Sequence, residues 1–194
     1  MVTGVRNLAK PDSAPALVNA AVERFGRLDA AVAATGQIVT GRFVNSTVED
    51  LRTVVAGCLE APFRFLKAVV DPMIAQGDGQ ILVITSASAA RPTPGAPLYS
   101  SARAGATMLT RNVADEVASN GVQVNAVGTN FMDFPGFLQA SGATDPEVRR
   151  KIEAQVPLGR LGTMEEFASF CMPFLDGTSR FTTGQFVAYA GGWA

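Results

Sequence analysis

The 194-residue chain predicts an α/β fold in which helices cover both faces of a doubly wound parallel sheet. Three observations predict it. The apolar run Ile81 to Ile84 reads as a buried strand, and Val122 to Val127 reads as another strand. Longer stretches of helical periodicity lie between and around them, so strand and helix alternate along the chain. Apolar residues make up 47% and charged residues 17%, enough to bury the core of one ordinary domain spanning 1–194.

The elements follow in order. Asp12 or Ser13 can cap a first helix that runs to about Phe25 and stops at Gly26. Leu28 to Thr35 is a strand of small residues. Ser46 or Thr47 caps a long amphipathic helix ending near Ala75. Gly79 to Thr85 is the next strand, and Pro97 to Asn120 the helix after it. Val122 to Val127 follows as a strand. Asn130 to Thr144, rich in glycine and aromatic residues, is predicted as a loop. Pro146 to Gln155 and Thr163 to Leu175 are two further helices, and Phe186 to Tyr189 closes the sheet.

Bulk properties exclude several classes. A net charge of −1 gives no field for nucleic acid or an anionic membrane. The chain has no histidine, which removes Ser-His-Asp and Cys-His catalysis and most zinc sites, and no metal is expected. Cys58 and Cys171 form no metal or redox motif, as suits a reducing compartment. The start lacks an apolar signal core and no run is long enough to span a bilayer, so a cytoplasmic location is expected.

The candidate chemistry lies in ITSASAARPTPGAPLYSSARAGA. Ser86 stands at the end of a predicted strand, and Tyr99 and Arg103, at i and i+4, share one face of the following helix. A tyrosine phenol is a poor base at neutral pH. A cation on the next helical turn favours the phenolate, and arginine is a permanently charged, planar donor fork. Ser86 would hold a substrate oxygen by a hydrogen bond. This spacing taken alone also arises by chance.

The layout resembles the Ser, Tyr-x-x-x-Lys signature of the short-chain dehydrogenases/reductases, with arginine in place of lysine. Four further segments carry the resemblance: RFGRLDAAVAATG, VQVNAVGTN, PLGRLGTMEEFASFCMPFLDG and TGQFVAYAGGWA. It implies a Rossmann-like domain, here with a shortened N-terminal half, because members usually carry another βαβ-sized segment before the RFGRLD region. Residues 1 to 6 can supply a single strand in its place; otherwise the Leu28 strand is an edge strand.

Departures from the reductase pattern point to one branch of that superfamily. The glycine-rich nucleotide turn is absent: Val2-Thr3-Gly4 echoes its start and no further glycine follows. Ala33-Ala34-Thr35-Gly36 stands for Asn-Asn-Ala-Gly, Cys58 lies where many reductases have a catalytic asparagine, and Thr129-Asn130 stands for Pro-Gly. This combination resembles the halohydrin dehalogenases. The resemblance implies a cofactor-free enzyme that converts vicinal halohydrins to epoxides, with Tyr99 as base, Arg103 beside it and Ser86 on the hydroxyl. It implies a halide site of backbone amides at Thr129, Asn130, Phe131 and Met132. Ser88, Phe134, Phe137 and Trp193 would line the substrate pocket. Implied partners are halohydrin or epoxide, halide and other small anions, and further copies of the chain in a dimer or tetramer. Two other readings stay open: a nicotinamide-dependent reductase with an unusual arginine, and a non-catalytic remnant.

Overall fold

The protein is described from a computed structural model over residues 7–194; the strand expected within residues 1 to 6, and the Val2-Thr3-Gly4 echo, lie outside the described residues. The first helix, α1, spans Ser13–Phe25 and ends where Gly26 takes a left-handed φ of 76° and donates its N–H to the Val22 carbonyl. Strand β1 is Ala30–Ala34. Helix α2, Val48–Val55, opens on a capping box in which Thr47 and Asp50 satisfy each other's backbone N–H groups. It continues without a break through a π turn, Ala56–Glu60, into α3, Ala61–Gln76. The predicted 47–75 helix is therefore one rod with a wide turn in it. Such turns cluster at functional sites.

Strand β2, Gly79–Ser86, leads to α4, Pro97–Val117, and then to β3, Val122–Thr129. The segment expected to be all loop contains α5, Pro135–Ser141. Proline at a first helical position needs no N–H partner and presets the right φ, so Pro135 starts this helix. Helices α6, Pro146–Glu153, and α7, Met164–Cys171, and strand β4, Phe186–Tyr189, complete the chain.

Among the described residues the sheet has the strand order β1-β2-β3-β4, all parallel. Strand β2 is buried on both faces, as its unbroken apolar run requires. On one face Phe65, Leu66 and Val69 of α3 and Ala114 and Val117 of α4 pack on Ile81, Val83, Val122 and Val124. On the other, Cys171, Phe167 and Phe170 of α7 and Tyr189 pack on Leu82, Ile84 and Val127. Both faces are covered, as the α/β reading expects. Strand β1 has one strand neighbour among the described residues, and Val32 is 47% exposed.

The clamp on α7 has an acid-labile part. Glu166 completes the Thr163 capping box and receives both Arg160 nitrogens, at 2.8 and 2.6 Å. The bonds from Arg160, and then the Thr163 N–H, hold its carboxyl down at about 2 against an ordinary 4.5. A lowered carboxyl stabilises the fold above its unfolded value and ceases to do so as pH falls through the folded one. Wild-type urea midpoints should therefore fall between pH 4.5 and about 2 by more than those of Glu166→Gln, in which glutamine keeps the cap without the charge. The difference should shrink in high salt, because the pair is exposed. Parallel pH profiles for the two proteins would rule this contribution out.

Candidate active site

Ser86 ends β2 and pairs in register with Thr129 at the end of β3. The approach of these strands depends on Gly128, where an added Cβ would lie 2.6 Å from the Ser86 carbonyl carbon and 2.7 Å from the Phe186 ring. Ser86 is 3% exposed. Its Oγ accepts the Ser88 N–H at 3.2 Å and donates to the Thr129 carbonyl at 3.3 Å. The oxygen is thus held in place while its single proton sits in a long bond that a better acceptor can take. Ser88, buried in the turn after β2, contributes this backbone N–H.

Tyr99 and Arg103 come together on α4 as the i, i+4 spacing predicts. The Arg103 guanidinium carbon lies 5.1 Å from the centre of the Tyr99 ring. The ring is half-buried against Val54, Cys58 and Ala102. Arg103 is itself only 5% exposed, and its Nη1 reaches the Ile84 carbonyl at 3.5 Å. Its Nε has no hydrogen-bond partner, and neither has the buried Oγ1 of Thr35. A buried donor left without an acceptor costs free energy that a ligand oxygen would recover.

One glycine seats that guanidinium and a second packs against the segment that carries it. A Cβ on Gly36 would fall 1.9 Å from Arg103 Nη2, so only glycine leaves the arginine its place. A Cβ on Gly57, in the π turn, would fall 2.7 Å from Gln37 Cβ. Next to it Cys58 is fully buried; its thiol donates to the Gln37 carbonyl at 3.2 Å and accepts the Gln37 N–H at 3.4 Å. The wide turn thus grips the Gly36–Gln37 segment from two sides. A cleft lined by Leu8, Ala34, Thr35, Gly36, Gln37 and Gly57 opens there. In the sequence, Thr35 and Cys58 stand out only as departures from a pattern, Gly36 keeps that pattern's glycine, and their joint role is not visible. The signal for it is the small residue at each of these three contacts.

Two of the four amides expected in the halide nest are already engaged. The Asn130 N–H donates to the Tyr189 carbonyl at 3.3 Å, and the Phe131 N–H donates to Asn130's own side chain at 2.9 Å. Thr129 gives its carbonyl to Ser86, and Met132 bridges to Gly162. Amides already donating within the protein are lost to an anion, so 130 and 131 contribute no cradle. Asp133, beside them, pairs with Arg149 at 2.7 Å. Three of the four expected pocket-wall residues gather in one aromatic cluster. Phe134 lies on Phe137, and Phe137 and Trp193 both pack on Phe131. Phe131 is 8% exposed and shares a small core with Val156 and Leu161, so its ring is packing rather than open wall.

Comparison with known proteins separates the two enzyme readings. The family model for enoyl-(acyl carrier protein) reductase matches residues 5–194. A 3-oxoacyl-(acyl-carrier-protein) reductase from Synechocystis is 34% identical over 188 residues, covering 96% of this chain and 73% of that protein. The corresponding reductase from Thermotoga maritima is 29% identical, covering 97% and 75%. A solved structure named as a dehalogenation enzyme has a TM-score of 0.85 at 31% identity, covering 93% of this chain and 74% of that one. ElxO with NADP bound, at 22% identity and a TM-score of 0.90, shares the fold. The reductase relatives overturn the expected halohydrin dehalogenation, and the cofactor independence expected with it has no support from them. The engaged amides at 130 and 131 supply a physical reason.

Proposed function

Because the chain belongs to the short-chain dehydrogenase/reductase superfamily, we propose that it interconverts a carbonyl and an alcohol with a nicotinamide nucleotide. A 3-oxoacyl thioester, the substrate class named by its reductase relatives, is the first candidate. The observation that carries this reading is the pair of partnerless buried atoms, Arg103 Nε and Thr35 Oγ1, close to the glycine seat at Gly36. Those residues fit the ribose of such a nucleotide, whose hydroxyls are both donors and acceptors. The phosphate end is different. The described residues offer no glycine-rich turn at a helix start, and α1 opens on Asp12, whose charge opposes an anion there.

When bound, such a nucleotide would supply or accept the hydride. This chain's residues handle the oxygen and its proton. Ser86 turns its hydroxyl from the Thr129 carbonyl to the substrate carbonyl oxygen. Tyr99 passes its phenolic proton to that oxygen as negative charge develops on it. Arg103, packed against the Tyr99 ring, sets a positive charge beside the tyrosine as its proton leaves. Being buried, it keeps this contact without competition from water.

The test mixes the purified chain with NADPH or NADH and a 3-oxoacyl thioester and follows nucleotide absorbance. Oxidation that requires both the thioester and the protein is expected. No thioester-dependent oxidation, together with no saturable nucleotide binding by fluorescence titration, would overturn the reading.

A further inference from the structure

Arg91 lies just beyond Ser86, on the turn that leads into α4. Its Nη1 donates to the Trp193 main-chain carbonyl at 2.6 Å. Its guanidinium carbon also stands 4.6 Å from the centre of the Trp193 ring. One side chain therefore holds both the backbone and the indole of a residue 102 positions away. None of the ion pairs among the described residues uses Arg91, so its cation is committed to the indole.

Trp193 passes the contact on. Its ring meets Phe131 edge-on, centroids 5.3 Å apart and planes at 71°. Phe131 is the one non-glycine residue with a positive φ among the described residues, at 56°. A bulky side chain in that conformation persists only where its surroundings over-determine it. Three contacts do so here. Its N–H goes to the Asn130 side chain, its carbonyl accepts the Gly162 N–H at 2.9 Å, and its ring is wedged between Phe137 and Trp193. The Phe131 loop leaves β3 at Thr129, whose carbonyl receives the Ser86 hydroxyl. The two loops that flank Ser86 are thus tied together through the C-terminal segment.

We propose that Arg91 is a positioning residue that latches the Trp193 segment onto the strained Phe131 loop, and so steadies the chain that leaves β3 at Thr129, where the carbonyl receives the Ser86 hydroxyl. Without the latch, Trp193 loses the cation on its ring and one anchor of its backbone, and the loop loses one of the contacts that hold its φ. The latch itself is independent of the reaction proposed above; its effect on substrate binding rests on that reading.

Trp193 is the only tryptophan in the chain, so tryptophan fluorescence reports the surroundings of this residue alone. Arg91→Ala should raise acrylamide quenching of that emission about two-fold or more and move the emission to longer wavelength. Far-ultraviolet circular dichroism should not change, because Arg91 is exposed and outside every core cluster. Arg91→Lys, which keeps a cation and a donor, should restore part of the protection. Phe131→Ala should also raise quenching, and the Arg91→Ala, Phe131→Ala double variant should exceed the larger single effect by little, as for two parts of one unit. Unchanged quenching in Arg91→Ala, no rescue by lysine, or additive effects in the double variant would overturn the latch. In the reductase assay, Arg91→Ala should raise KM several-fold with kcat nearly unchanged, a split that loss of folded protein does not produce. Altered fluorescence in a protein that never oxidises nucleotide would leave the latch standing and remove the reductase reading.

Discussion

Tyr99→Phe is expected to remove carbonyl reduction almost entirely while leaving the protein folded. The variant deletes one oxygen. The ring still fills its place against Val54, Cys58 and Ala102 and still lies beneath the Arg103 guanidinium. Stability and circular dichroism should therefore stay close to wild type. The chain has no histidine and the phenol is the proposed proton donor, so its loss should lower kcat by about 10²–10⁴-fold. Nucleotide affinity should change little, since the ring keeps its contacts. The check is kcat at saturating thioester together with a nucleotide titration of the same preparation. Near-normal turnover in the phenylalanine variant would take Tyr99 out of the mechanism.

Gly128→Ala should have the largest effect on stability. The new methyl would lie 2.6 Å from the Ser86 carbonyl carbon and 2.7 Å from two atoms of the Phe186 ring. The ring could move, but the Ser86 backbone is locked in register against β3, on a strand that β1 flanks on its other side. Relief has to come from separating β2 and β3 in the middle of the sheet. Overpacking of this kind costs about 3 kcal/mol, which for a chain of this size lowers the melting temperature by about 6–12 °C. Activity should fall further than the folded fraction does, because the clash displaces Ser86. Gly26→Ala serves as the contrast, with open space around its Cβ and only a strained φ to bear. A melting temperature for Gly128→Ala within a degree or two of wild type would show that the strands can part freely here.

Much of the architecture is legible in the order of residues. The run at 81–84 has no polar face, which requires a strand covered on both sides, and that is where it lies. Gly26 ends α1 and Thr47 starts α2, because left-handed φ and side-chain capping are local chemistry. Helix α5 is not legible, because Pro135-Gly136 reads equally well as a turn or as a helix start. Packing of Phe137 and Leu138 onto Phe131, Val156 and Leu161 decides between them.

The site divides the same way. Ser86, Tyr99 and Arg103 are legible because a strand end and an i, i+4 spacing on one helix are nearby in sequence. The amide nest is not, because a string of residue types does not say which N–H groups are already engaged. Here the Tyr189 carbonyl, 59 positions on from Asn130, takes one of them. By itself the sequence determined what is local: the alternation of strand and helix, the caps, and the three side chains of the candidate site. The tertiary structure alone decided which backbone donors are spent, that Gly36 seats Arg103, that Cys58 grips Gln37, and that Arg91 holds Trp193. Each of these contacts joins residues distant in sequence, with a free energy that exists only once the chain has brought them to van der Waals distance.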